Sequence, residues 1–353
     1  MGYAINEWDE KHWNPRKTRS YGCLLNFIIG MRGGGKTYGF LKDSIERFLR
    51  KKEEFLYVRR IKTELEKLTI MRGGRLFKAV EREFPEYELR AESNILSIRQ
   101  IKNEKWKTMG YAQPLSTASI LKSDAFPNVQ TIGFDEFIID NSGTYHYLKD
   151  EVRKFLDLYE TVARGRDVVT FFLSNAVTIT NPYFDFWNLN KPYHSNIQRF
   201  GASKDILVEN VVIEALAKEK KASRFGQIIA DTDYSDYAYD NEWLLDNTDF
   251  VSNKTKDCQY FVTLLYKGNE IGIWVDRVQW LWYISADIDK QCKDVYSVTI
   301  EEHKPNIMLF NAGKKLPWLK TLIDAYQCGA VRYESIKLKN WFRDIMRMAA
   351  GVH

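Results

Sequence analysis

Leu24-Leu25-Asn26-Phe27-Ile28-Ile29-Gly30-Met31-Arg32-Gly33-Gly34-Gly35-Lys36-Thr37 is the stretch that decides the fold. An apolar strand, Leu24–Ile29, runs straight into Gly30-x-x-x-x-Gly35-Lys36-Thr37. A helical pattern through Leu41 and Ile45 to about Leu49 follows it. This is the Walker A spacing in its required context. Gly30, Arg32, Gly33, Gly34 and Gly35 form a loop whose backbone amides, with the helix N-terminus behind them, face an anion. Lys36 is expected to bridge the β- and γ-phosphates of ATP, and the Thr37 hydroxyl to sit on Mg²⁺.

Working outward, Val129-Gln130-Thr131-Ile132-Gly133-Phe134-Asp135-Glu136 is a second buried strand, ending in two carboxylates. Asp135 is the expected Mg²⁺ partner and Glu136 the base that polarises the attacking water. Phe55–Arg59 and Val168–Leu173 add two more strands of nearly continuous hydrophobicity, the mark of strands covered on both faces. Leu148, Val152, Phe155, Tyr159 and Val162 recur at helical steps between them. Residues 92–115 read as a hairpin insertion.

The fold class is therefore α/β, a P-loop ATPase domain with a central, mainly parallel sheet. The chain has 353 residues, which suggests two domains. Asn181-Pro182 to Pro192 reads as a break, and residues 205–230 as helical and basic. From Cys258 the texture becomes an antiparallel meander, Tyr260–Tyr266, Ile271–Val275 and Trp280–Ile284, closed by helices at about 315–328 and 335–349. The expected division is an ATPase domain over 1–197, a helical linker over 198–230 and a smaller α+β domain over 231–353.

Bulk properties exclude several classes. Cys23, Cys258, Cys292 and Cys328 are too scattered for a disulfide framework or a zinc site and fit a reducing cytoplasm. Glu7, Asp9 and Glu10 precede no apolar secretory core, and Cys23–Ile29 is too short to span a bilayer, so no membrane partner is expected. A formal charge of +5 permits a nucleic-acid partner without requiring one.

Other candidates are ambiguous on their residues alone. Arg164 and Arg166, in Thr161-Val162-Ala163-Arg164-Gly165-Arg166, read either as cations placed favourably at a helix C-terminus or as arginine fingers for a neighbouring subunit. Asn175, ending Leu173-Ser174-Asn175, is either a strand cap or a γ-phosphate sensor. Lys62, after Arg59-Arg60, and Lys122, before the second motif, are solvated charges or contacts to DNA or a neighbouring site. Lys218–Arg224 and Lys337–Arg347 read first as solvated surface.

Several blocks together resemble the packaging ATPases of phi29-type short-tailed bacteriophages. These are the Asn26–Thr37 segment, Tyr57-Val58-Arg59-Arg60, Pro127-Asn128-Val129 leading to Phe134-Asp135-Glu136-Phe137, and Leu173-Ser174-Asn175-Ala176-Val177 with Asn181-Pro182-Tyr183-Phe184. The resemblance runs over most of the chain and is strongest between residues 21 and 184. It implies an ASCE-type, terminase-like motor that hydrolyses ATP with Mg²⁺ in the host cytoplasm. It also implies a homo-oligomeric ring, a pentamer, docked at the portal of a prohead and driving double-stranded DNA inward. A structural RNA at the portal is left open.

By that resemblance Arg164 is the arginine acting in trans, with Arg166 second. Asn175 reads the hydrolysis state, and Lys62 and Lys122 occupy functional lysine positions. The C-terminal domain is implied to be RNase H-like and inactive as a nuclease. Two other readings stand beside the motor. One is a metal-dependent nuclease using Asp276, Asp287 and Asp289; the other is an ATP-switched assembly factor.

Overall fold

The computed structural model describes residues 8, 10–69, 75–102, 105–118, 125–139, 146–176, 178–190, 195–230, 249–310 and 317–350. The chain divides into two compact units, Met1–Leu245 and Asp246–His353.

The first unit opens with α1 (Pro15–Arg19), β1 (Leu25–Gly30), α2 (Lys36–Lys51), β2 (Glu54–Arg59) and α3 (Lys62–Thr69). Then come β3 (Tyr87–Glu92), β4 (Ile95–Gln100), β5 (Lys107–Pro114), β6 (Val129–Asp135), α4 (Glu151–Ala163) and β7 (Val169–Asn175). It closes with α5 (Pro182–Trp187), β8 (Ile197–Phe200), β9 (Ile206–Val211), α6 (Glu214–Ala222) and α7 (Arg224–Ile228). Nine strands form one sheet in the order β3-β4-β5-β2-β6-β7-β1-β9-β8. The six from β5 to β9 are parallel to one another, and the β3–β4 hairpin and β8 add antiparallel edges. One strand, β7, lies between the glycine-loop strand β1 and the acid-bearing strand β6, which is the ASCE arrangement.

Both faces of this sheet are covered, which is why its strands lack polar alternation. Side chains still alternate sides. Phe171 meets Phe40 of α2 with ring centroids 6.2 Å apart, while Phe172 stacks on Phe27 at 4.3 Å and packs on Phe155 of α4 at 4.7 Å. Each of these fully buried aromatics stabilises the unit by roughly 1.5–3 kcal/mol. The approach of α2 is close: a Cβ on Gly133 would come within 2.3 Å of the Phe40 ring. These contacts fix α2 and β6, and therefore the glycine loop and the acids, against one another.

The expected strands are all present within one or two residues, and the hairpin expected over 92–115 is β4 with β5; β3 (Tyr87–Glu92) is an unanticipated strand on β4, and β5 is no mere insertion but pairs in parallel with β2. The helical reading of 205–230 is corrected. Ile206–Val211 is a strand, buried from Leu207 to Val211 and paired in parallel with β1, and helix begins only at Glu214. Residues 198–230 thus complete the first sheet before the helices, rather than forming a wholly helical linker. Asn181-Pro182 is a helix start: the Asn181 side chain accepts from Tyr183 N (3.2 Å) and Phe184 N (3.0 Å), with Pro182 at the first turn.

The second unit contains β10 (Cys258–Tyr266), β11 (Asn269–Asp276), β12 (Leu281–Ser285), β13 (Val295–Ser297), β14 (Met308–Leu309), α8 (Pro317–Gln327), β15 (Val331–Tyr333) and α9 (Ile336–Ala350). β10, β11 and β12 form the antiparallel meander; β13 joins β10 in parallel, and β14 joins β13. The order β12-β11-β10-β13-β14, with β15 added beyond β12, is RNase H-like. Leu319 and Leu322 of α8 and Leu338, Phe342 and Ile345 of α9 bury against Ile271, Ile273 and Ile284. Among the described residues no helix is long and apolar enough to cross a membrane.

Candidate active site at the carboxyl ends of the parallel strands

Parallel strands deliver their C-terminal ends to one edge, and β1, β2, β6 and β7 deliver Gly30, Arg59, Asp135 and Asn175 there. Gly35 caps α2 in the left-handed region (φ 71°), a conformation glycine adopts without strain. The Lys36 ammonium is buried in the loop it follows. It donates to Gly30 O (3.1 Å), Met31 O (2.9 Å) and Asn175 Oδ1 (3.2 Å). Burial brings its pKa down to about 7; nearby Asp135 opposes this, and the charge of Lys220 adds to it.

That shift gives a signed prediction. Against a polyphosphate Lys36 is charged, whereas in the free chain it is largely neutral above pH 7. Nucleotide binding is therefore expected to take up close to one proton at about pH 8, and affinity to fall as pH rises above 7. Titration calorimetry in buffers of different ionisation enthalpy measures the uptake directly; binding with no proton exchange at that pH would contradict it.

The Thr37 hydroxyl donates to Asp135 Oδ2 at 2.9 Å, and the buried Tyr57 hydroxyl donates to the same oxygen at 2.7 Å. Burial, then the Asp135 charge, raises the Tyr57 pKa well above 10, so Tyr57 stays a donor. One hydroxyl and one carboxylate are hard oxygen donors of the kind Mg²⁺ takes alongside phosphate oxygens and water. Among the described residues no group of three or more His, Cys, Asp or Glu side chains could hold a metal ion.

Glu136 projects from the same strand end with φ 57°, a conformation uncommon for a non-glycine residue and costly unless its surroundings hold it. They do. Glu136 N donates to Asp135 Oδ1 (3.1 Å), and Glu136 O accepts from Arg60 Nη1 (3.0 Å). Its carboxylate is 61% exposed and pairs with Arg59 Nη2 at 2.9 Å, while Arg59 Nη1 lies 3.5 Å from Asp135 Oδ2.

Arg59 and Arg60, adjacent in sequence, do different work. Arg59 bridges the two acids. Arg60 is buried and chelates Glu151 of α4 (Nε–Oε2 2.8 Å, Nη2–Oε1 3.0 Å), and it also donates to Phe137 O at 2.6 Å. Tyr183 of α5 donates to Glu151 Oε1 at 2.9 Å, and Leu148 N to Oε2 at 2.8 Å. Removing one member of such a fully buried pair strands the other charge. Arg60→Ala is therefore expected to cost roughly 3–5 kcal/mol of stability. Urea unfolding in a double-mutant cycle with Glu151→Gln checks this; additive effects would mean the pair is not coupled.

The arginines at the end of α4 lie elsewhere. Helix α4 runs back from the acid edge for 13 residues, about 20 Å. Arg164, its left-handed C-cap, is consequently exposed at the opposite edge of the sheet, remote from the lysine and acids of its own chain. Arg166 is corrected as a candidate trans or DNA contact. Its guanidinium donates to five backbone carbonyls, those of Phe126 (2.8 Å), Pro127 (2.9 Å), Val129 (3.1 Å), Val162 (2.8 Å) and Ala163 (3.1 Å). It clamps the entry of β6 to the end of α4. Lys62 begins α3 beside the acid edge with a 67% exposed side chain, 3.5 Å from Glu66. Lys122 lies outside the described residues.

Two groups near the site are not assigned to it by the sequence. The N-terminal segment lies on the glycine loop: Trp13 N donates to Gly34 O at 3.0 Å, and His12 occupies the space a Cβ on Gly35 would need. Lys220 of α6 donates to the carbonyl of Arg32. The nuclease candidates are engaged otherwise. Asp276 is buried and accepts from Thr255 Oγ1, Val278 N and Gln279 N, and Asp287 pairs with Lys254 at 2.7 Å.

Comparison with known proteins adds to this geometry. The sequence profile of the Podovirus DNA encapsidation protein (Gp16) matches residues 9–350. The chain is 36% identical over 336 residues to the DNA packaging protein of Bacillus phage phi29, covering 95% of this chain and 97% of that one. It is similar to a chain of the bacteriophage phi29 viral genome packaging motor assembly, with a TM-score of 0.76 and 34% identity over 96% of this chain and 99% of that chain. It is also similar to the N-terminal domain of the DNA packaging ATPase from bacteriophage phi29. There the TM-score is 0.50, with 40% identity over 57% of this chain and 96% of that one.

Proposed function

The chain belongs to the podovirus DNA encapsidation proteins, and from that premise we propose that it is an ATP-hydrolysing ring motor that drives double-stranded DNA into a phage prohead. The observation that carries the reading is the convergence of Lys36, Thr37, Asp135, Glu136 and Asn175 at one sheet edge, within a chain related over its length to a DNA packaging protein.

The geometry supports a role for each residue. Lys36 and the amides of Gly30–Gly35 hold the polyphosphate of ATP. Thr37 and Asp135 would hold Mg²⁺, which would supply neutralising positive charge to the polyphosphate. Glu136 orients the attacking water and accepts its proton, and its backbone is locked by Asp135 and Arg60 so that the carboxylate stays at the phosphate edge. Asn175, bonded to Lys36, is placed to sense the γ-phosphate and to pass its loss into β7 and the following α5.

Arg164 lies at the far edge from its own site, and the role the family resemblance supports for it is action on a neighbouring subunit's site in a homo-oligomeric ring. A pentamer docked on the portal in the host cytoplasm is the form the family resemblance supports. Lys62, and Lys122 by the same resemblance, are candidate contacts to DNA or the adjoining site. The RNase H-like unit acts as a binding module, since Asp276 is tied into a turn. The test is steady-state ATP hydrolysis by the full chain with and without linear double-stranded DNA, alongside Lys36→Ala. Hydrolysis that DNA stimulates and the variant lacks is expected. Hydrolysis unchanged by Lys36→Ala would overturn the site assignment.

A further inference from the structure

Helix α6 carries Lys220 over the glycine loop. The Lys220 ammonium donates to Arg32 O and lies 3.0 Å from the point where a Cβ on Gly33 would stand. Its backbone is fixed by the corner between α6 and α7. There Ser223 N and Oγ both donate to Lys220 O (3.1 and 2.7 Å), Gly226 N donates to Ser223 Oγ (3.0 Å), and a Cβ on Gly226 would strike Lys220 O at 2.1 Å. The start of the helix is anchored too. Ile213, just before α6, packs 3.5 Å from the Cβ position of Gly34, and Leu216 and Ala217 join the core beneath. A lysine in the last turn of a helix ordinarily complements the dipole of that helix. This one reaches across to another element, the glycine loop at Arg32 and Gly33.

The electrostatics agree with the geometry. Burial and then the charge of Arg32 lower the Lys220 pKa, while Lys220 in turn lowers that of Lys36. Lys220 and Arg32 are therefore like charges held close together at the loop, an arrangement that a nearby anion relieves.

We propose that Lys220 is a further polyphosphate-binding residue of the nucleotide site, brought by α6 to close over the glycine loop. The inference rests on the ATP-binding reading above and extends it to a residue 184 positions beyond Lys36. With nucleotide bound, the ammonium turns from Arg32 O to a phosphate oxygen. Nucleotide occupancy thereby bears directly on the position of α6.

Equilibrium binding of Mg·ATP to the full chain, by calorimetry at several salt concentrations, tests it. The variants are Lys220→Met, Lys220→Arg, Lys36→Ala and, as a neighbouring surface control, Lys218→Ala. Lys220→Met keeps the side-chain stem, and its dissociation constant is expected to rise about tenfold, as loss of one charge-assisted hydrogen bond implies. Its salt dependence should be shallower than that of the wild type. Lys220→Arg should recover most of the affinity, and Lys218→Ala should match the wild type. Unchanged affinity in Lys220→Met, with binding lost in Lys36→Ala, would overturn the proposal and leave the nucleotide site intact. Weakened binding with an unaltered salt dependence would also overturn it, since Lys220 would then only support the loop. A wild-type chain that binds no Mg·ATP would remove both readings.

Discussion

Replacing Glu136 by Gln is expected to leave ATP binding close to that of the wild type and to lower turnover by roughly 10²- to 10⁴-fold, the usual contribution of a positioned general base. The substitution is nearly isosteric and the side chain is largely exposed, so the fold has little reason to respond. Its backbone locks, Glu136 N to Asp135 and Arg60 to Glu136 O, involve main-chain atoms that Gln retains. What disappears is the carboxylate that accepts a proton and that now faces Arg59. Measuring binding by calorimetry and turnover by phosphate release separates the two effects. Turnover within a few-fold of the wild type would remove Glu136 from its role.

Arg164→Ala carries the second large effect, an expected loss of about 10³-fold or more in ring hydrolysis with ATP binding retained. Arg164 caps a helix that leads away from the acid edge, so in the proposed ring its target is the site of another subunit. A complementation experiment reads this out. Rings of Arg164→Ala alone, or of Lys36→Ala alone, should be inactive. A mixture should regain part of the activity, because an intact arginine from a Lys36→Ala subunit then faces an intact P-loop of an Arg164→Ala subunit. No recovery on mixing would contradict action in trans. Arg166→Ala should differ in kind: it frees five carbonyl acceptors at the junction of β6 and α4 and should lower stability whether or not a ring forms.

Much of the site was legible in the sequence because it is local. The glycine loop and Lys36-Thr37 are contiguous, and Asp135-Glu136 ends a strand whose continuous hydrophobicity announces burial on both faces. What was illegible depends on the third dimension. Arg59-Arg60 reads as a basic run, yet the end of a strand turns successive side chains apart, one to the acids and the other to Glu151. Arg164 and Arg166 share one motif, and after the left-handed turn at Arg164 and Gly165 the second folds back onto carbonyls.

Lys220 looked like solvated surface because nothing near it in sequence points to a loop almost two hundred residues earlier. Residues 206–211 were misread for another reason. Ile206-Leu207-Val208 is a short apolar run of strand type, but only five residues separate it from the helical pattern that begins at Glu214, with no glycine or proline between. Its β-branched content and the turn residues Gly201 to Asp205 before it were the available signal.

The most direct test of the central claim is ATP-driven DNA uptake: proheads, the purified chain and linear double-stranded DNA are mixed, then treated with nuclease. With ATP and Mg²⁺ the wild-type chain should render DNA resistant to digestion, and Lys36→Ala and Glu136→Gln should protect none. DNA protected equally without ATP, or by the Lys36→Ala chain, would contradict the account.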